Sequence, residues 1–160
     1  MSNQDVTQYL SAALRRVRKT RRPIVSFRAA HEAGHAVVGT ELTVCLDFVT
    51  IKEGRYERDG EVMDHYGLTV WFGGGNREPR DTIISLSGPI ANTLLGYPPC
   101  LESNSYDLQG AAAMPMQDMR QAVDEAIELV QANLDKILVV ACELDNCGTV
   151  QAERVWELVS

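Results

Sequence analysis

The chain has 160 residues, 45% hydrophobic and 23% charged, the composition of an ordinary globular protein long enough to bury one core. Its formal net charge is −7. Residues 1–22 hold six basic side chains (Arg15, Arg16, Arg18, Lys19, Arg21, Arg22) against Asp5 alone, a local +5, so the remaining residues carry −12. An acidic body argues against nucleic acid as a partner. No apolar run approaches the roughly 20 residues that span a bilayer, so no integral membrane segment is expected.

Apolar residues at Val6, Leu10, Ala13, Leu14 and Val17 predict a helix from Val6 to Lys19, ended by Pro23. Residues 1–22 thus read as a basic N-terminal helix or arm and residues 23–160 as a single domain. The arm is either a solvated helix end or a docking element for an acidic partner, the body's own acidic surface or an anionic membrane. Met1 to Leu10 lacks a basic-then-apolar signal organisation, which makes a cytoplasmic location the default. Cys45, Cys100, Cys142 and Cys147 lack C-x-x-C spacing and are expected as free, partly buried thiols.

Ser26 is a plausible N-cap for a helix from Phe27 to Leu42. Val44 to Lys52 reads as a strand, Glu53 to Glu61 as a loop or hairpin turn, and Tyr66 to Phe72 as a second strand. Gly73-Gly74-Gly75-Asn76 breaks the chain and lacks the Lys-Ser/Thr of a phosphate-binding loop. Asp81 to Leu95 is helical in pattern, with a kink or restart expected at Pro89. Gly96 to Asp107 reads as a loop and Gln117 to Leu144 as one long amphipathic helix. Gly148-Thr149 is a stop-and-restart signal before a closing helix, Val150 to Val159. The expected class is mainly α with a small β-hairpin or sheet (α+β).

The chemistry concentrates in His31-Glu32-Ala33-Gly34-His35. Residues four apart on a helix share a face, so His31 and His35 can present two imidazoles to one metal ion, with Glu32 beside them. A catalytic zinc site takes three protein ligands and leaves a fourth position open. The third ligand must come from elsewhere and can be His, Asp, Glu or Cys; His65 is the only remaining histidine. Asp107 is favoured, because a carboxylate opening a helix sits well at the positive dipole end and can point at a neighbouring helix.

Arg28 to Val38 resembles the zinc-binding helix of the FtsH family of metallopeptidases. Val49-Thr50-Ile51 and Gly67-Leu68-Thr69-Val70-Trp71-Phe72 resemble that family's two strands, and Leu86 to Asn92 is similar to its L-G-G-R-x-A-E helix. Ser103 to Leu108 matches the loop ending in S-N-D-L, whose aspartate is the family's third zinc ligand. The likeness spans roughly residues 24 to 110, with a looser match at Gly148-Thr149-Val150 and Val155 to Leu158. It implies a zincin-like, FtsH-peptidase-like domain in residues 23–160, Zn²⁺ on His31, His35 and Asp107, and Glu32 as catalytic base. It further implies a polypeptide substrate, for which Gly67, Leu68, Thr69, Val70 and Trp71 are a candidate pairing strand, and it leaves room for a homo-oligomer and for an ATPase acting in trans.

The sequence departs from the family pattern at three points. Nothing in the first 25 or so residues resembles the ATPase module, so activity is expected on flexible or unfolded polypeptides. Asn92 stands where the family has a glutamate behind the ligands. The helical region after Asp107 is shorter. The leading expectation is a zinc metalloendopeptidase. The alternatives are a non-catalytic zinc-binding interaction module and a compact regulatory metallopeptidase that cleaves a repressor-type partner.

Overall fold

The computed structural model describes residues 2–17, 24–58, 60–72, 79–98 and 105–160. Arg18 to Pro23, the glycine triplet, Asn76, Cys100 and the Ser103-Asn104 part of the aspartate loop lie outside them. Among the described residues the chain is mainly helical with a small antiparallel sheet, an α+β arrangement. In chain order the elements are α1 (Asn3–Leu14), α2 (Phe27–Glu41), β1 (Leu46–Thr50), β2 (Gly54–Arg58), β3 (Glu61–His65), β4 (Leu68–Trp71), α3 (Pro79–Leu94), α4 (Ser105–Ala112), α5 (Met116–Ala132), α6 (Leu134–Cys147), β5 (Thr149–Gln151) and α7 (Ala152–Val159).

Helix α2 runs through the middle. Ser26 caps it, its Oγ accepting from the Ala29 N–H at 3.2 Å, which satisfies one of the amides a helix start leaves unpaired. Ala29, Ala30, Ala33, Ala36, Val37 and Val38 are buried, because α3, α6 and strand β1 cover the helix on several sides. Small residues let α3 come close. A Cβ on Gly34 would lie 2.7 Å from the Ser87 carbonyl oxygen and 2.8 Å from the Ala91 methyl, so a side chain there would force the two helices apart. Val6, Leu10 and Leu14 of α1 join the same core, each fully buried aliphatic contributing about 1.5–3 kcal/mol.

Strand β1 is central in a three-stranded antiparallel sheet of order β4-β1-β5, with Val49 opposite Thr69 on one side and Val150 on the other. A bulge between Leu46 and Phe48 shifts the β1–β4 register. The Trp71 ring lies against Gly39, filling the space a Cβ would need and seating β4 on α2.

Several expectations need correction. The charged stretch after β1 is a second sheet, with β2 and β3 paired from Gly54–His65 to Arg58–Glu61. Pro89 lies inside α3 without dividing it. The long helix expected over 117–144 is two helices, broken at Asn133, whose φ of −113° and ψ of 17° leave the helical region. Thr149 to Gln151 is a strand: Gly148 takes φ 78° to end α6, a left-handed turn glycine adopts without strain. The described cysteines, Cys45, Cys142 and Cys147, are free but exposed. Among the described residues no helix is long and apolar enough to cross a membrane.

Candidate metal centre

Two elements bring the donors together. His31 and His35 lie one turn apart on α2, and Asp107 comes from the first turn of α4. The two Nε2 atoms are 3.0 Å apart. His31 Nε2 is 3.1 Å from Asp107 Oδ2 and His35 Nε2 is 3.6 Å from Asp107 Oδ1. Tetrahedral ligands at 2.0–2.1 Å from a zinc ion stand about 3.3 Å from one another, and the observed separations bracket that spacing. The cluster is largely withdrawn from solvent, with side-chain exposures of 14%, 10% and 21% for His31, His35 and Asp107. These residues can hold a metal ion.

The hydrogen bonds fix which atoms face inward. His35 Nδ1 lies 2.7 Å from the Ile84 carbonyl oxygen. A carbonyl only accepts, so Nδ1 carries a proton, and in the neutral ring Nε2 presents its lone pair to the cluster. Ile84 directly precedes Ser85, whose carbonyl Pro89 leaves without a helical donor. The irregular turn of α3 and the imidazole that reads it are therefore neighbours. Beneath the pair lies Gly88, where a Cβ would sit 2.5 Å from His35 Nε2 and 2.9 Å from His31 Cε1. The absence of a side chain there makes the cradle.

His31 is held differently. Its ring stacks on Phe27, centroids 6.2 Å apart, and its Nδ1 is 3.4 Å from Asn92 Nδ2. Asn92 is buried and its Oδ1 has no hydrogen-bond partner. A half-turn of the amide would let Oδ1 accept from a His31 Nδ1–H, the tautomer that frees Nε2 for a metal. Asn92 thus supplies a dipole where a carboxylate would supply charge.

Glu32 is buried beside the ligands. Burial is the main influence on its carboxyl and, with a smaller push from Asp107, raises it to about 7, while the charge of His35 and a hydrogen bond from Thr69 pull it down. Burial also pushes Asp107 up, but the charge of His35 and the hydrogen bond and charge of His31 outweigh it, holding Asp107 below the ordinary carboxylate range. Two acids close together are thus pushed in opposite directions, one toward holding a proton and one toward giving it up.

Of the sequence-derived candidates, His31, His35, Asp107, Glu32 and Asn92 come together, and Gly67 and Thr69 touch Glu32. A Cβ on Gly67 would lie 2.6 Å from Glu32 Oε1, and Thr69 Oγ1 donates to Glu32 Oε2 at 2.8 Å. His65 stays apart: it pairs with Gly54 at the base of the β2–β3 ribbon and is outside the metal-ligating cluster. The roles of Gly88 and the Ile84 carbonyl escaped sequence reasoning. The Gly88-Pro89 dipeptide was the available signal. The chain matches no model of a known protein family and no curated protein, so its chemistry follows from the geometry of the site.

Proposed function

We propose that the protein is a zinc-dependent peptidase of the FtsH type that hydrolyses peptide bonds in flexible or unfolded polypeptides. One observation carries the reading: a buried carboxyl, Glu32, held by the Thr69 hydroxyl, stands beside three converging metal-ligating side chains. His31, His35 and Asp107 would hold the ion. When bound, zinc would acidify a water molecule and polarise the scissile carbonyl.

The chain's own groups supply the rest. Glu32 takes the proton of the attacking water on its carboxylate and returns it to the leaving amine. His35, with its proton fixed on Nδ1 by Ile84, keeps Nε2 as a donor atom throughout. Gly67 and Thr69 keep the Glu32 carboxylate in place. Strand β4 ends the sheet, and its outer edge is open among the described residues to an extended chain.

The test is paired. Purified wild type is expected to hold about one equivalent of zinc, which is lost in His31→Ala, His35→Ala and Asp107→Ala. Glu32→Gln is expected to keep the zinc and lose cleavage of casein by a factor of at least ~100. Asn92 favours a second reading, a zinc-binding interaction module without catalysis. Equal inertness of wild type and Glu32→Gln, both with full zinc, selects that module.

A further inference from the structure

Thr69 faces two ways at once. Along β1 the backbone groups alternate between its neighbours: the Ile51 N–H donates to Gly148 O, at 2.9 Å, on the β5 side. Thr50 is therefore turned toward β4, where it lies opposite Leu68. The far end agrees, since the Phe72 N–H donates to Cys45 O, ahead of β1, at 2.8 Å. Leu68, Val70 and Phe72 thus direct their backbone groups inward, whereas Gly67, Thr69 and Trp71 direct theirs to the outer edge. The side chains of the second set pack on α2, Trp71 against Gly39 and Thr69 against Glu32.

The Thr69 hydroxyl reaches Glu32 Oε2 at 2.8 Å and the Glu32 carbonyl oxygen at 3.3 Å. A β-branched side chain is stiff at χ1, so this hydroxyl follows its own backbone closely. We propose that Thr69 is a positioning residue that couples pairing of an extended substrate on β4 to the alignment of the Glu32 carboxylate. This role rests on the peptidase reading above and adds to it a reason for substrate length to govern turnover. A chain paired along β4 takes up the Thr69 N–H and C=O, which fixes the Thr69 backbone. Its hydroxyl then holds Oε2, while the missing side chain at Gly67 leaves room for Oε1. Truncated peptides make the same contacts at the reacting bond but leave Thr69 unpaired.

Turnover by wild type, Thr69→Val and Thr69→Ser, each with zinc quantified, is compared on a peptide of about ten residues and on its truncated half. In wild type the longer peptide is expected to gain about 10–100-fold in kcat as well as a lower KM. In Thr69→Val the KM advantage stays and the kcat gain disappears; Thr69→Ser, which keeps the hydroxyl without the branch that stiffens it, restores part of the gain. A length-dependent kcat that survives in Thr69→Val, or a Thr69→Ser as poor as Thr69→Val, overturns the role of Thr69 while leaving the peptidase reading intact. A zinc-loaded wild type that cleaves neither peptide overturns the peptidase reading and this role together. The pairing has its own readout in metal-free protein. Adding the longer peptide is expected to slow amide exchange at Thr69 and Trp71 but not at Leu68 and Val70, and protection of the second pair alone would reverse the assignment of faces.

Discussion

The site has two walls built on different principles. The helical wall (α2, α3 and α4) supplies the three metal-ligating side chains and is packed through small residues, with Gly34 against Ser87 and Gly88 beneath both imidazoles. The strand wall supplies no ligand. It consists of one edge strand, β4, whose Gly67 and Thr69 touch the carboxylate of Glu32. On the proposed reading, metal affinity depends on the helix crossing and turnover on the strand, so each wall can be damaged without the other.

The paired glycines are the sharpest way to break that division. A methyl at Gly88 would sit 2.5 Å from His35 Nε2, and Gly88→Ala is expected to weaken zinc binding by about 100-fold, the upper range for losing support of a ligand. Gly67→Ala is expected to leave zinc binding at the wild-type level and to lower turnover by about 100-fold, the size of effect that accompanies a displacement of about 1 Å at a reacting group. Competition against a chelator gives the first number and peptide cleavage the second. Loss of zinc in both variants would merge the two walls into one unit.

A smaller effect is expected at Asn92. Asn92→Asp has nearly the same shape and places a charge where Oδ1 now lacks a partner. Zinc affinity should rise about tenfold. Unchanged affinity would mean that the dipole already serves His31 as well as a carboxylate can.

An effect of similar size is read without metal. The Glu32 carboxyl moves from an ordinary 4.5 to about 7 in the folded chain, so the folded state holds this proton more tightly than the unfolded one. Its contribution is complete below about pH 4.5 and is lost as pH rises through about 7, on the order of 1–3 kcal/mol. In chelator, thermal unfolding of wild type should fall behind that of Glu32→Gln as pH goes from 5 to 8. A constant gap across that range would show that the carboxylate stays solvated in the metal-free chain. Asp107, shifted down, works in the opposite sense at the acid end, where protonation removes its contribution.

Much of the helical wall was legible in the sequence. Four-residue spacing alone puts His31 and His35 on one face, and the polar loop before Asp107 marks a helix start. The strand wall was legible only as a strand. That Thr69 grips Glu32 depends on which face of β4 meets α2, a register fixed by the Leu46–Phe48 bulge and the Trp71–Gly39 contact. The β2–β3 ribbon was legible only as a loop or hairpin turn, because half of its residues are charged and its strands lack an apolar alternation. The break at Asn133 was hidden because apolar spacing continues across it; its side chain instead donates to the Leu129 carbonyl at 3.0 Å. Strand β5 is three residues long and exists through its pairing with β1, which no local pattern reveals.

The cap of the ligand-bearing helix has a consequence for how the chain matures. Ser26 is itself held by Asp145, which accepts from the Ser26 N–H at 2.7 Å and from its hydroxyl, across 119 residues of sequence. The imidazoles are thus made early in synthesis, while the group that anchors their helix and the strand that flanks β1 are made near the end. Contacts of such separation form slowly. On the proposed reading, a nascent chain carries its first two ligands long before it can orient them, and metal capture would be a late event, timed by the C-terminal helices.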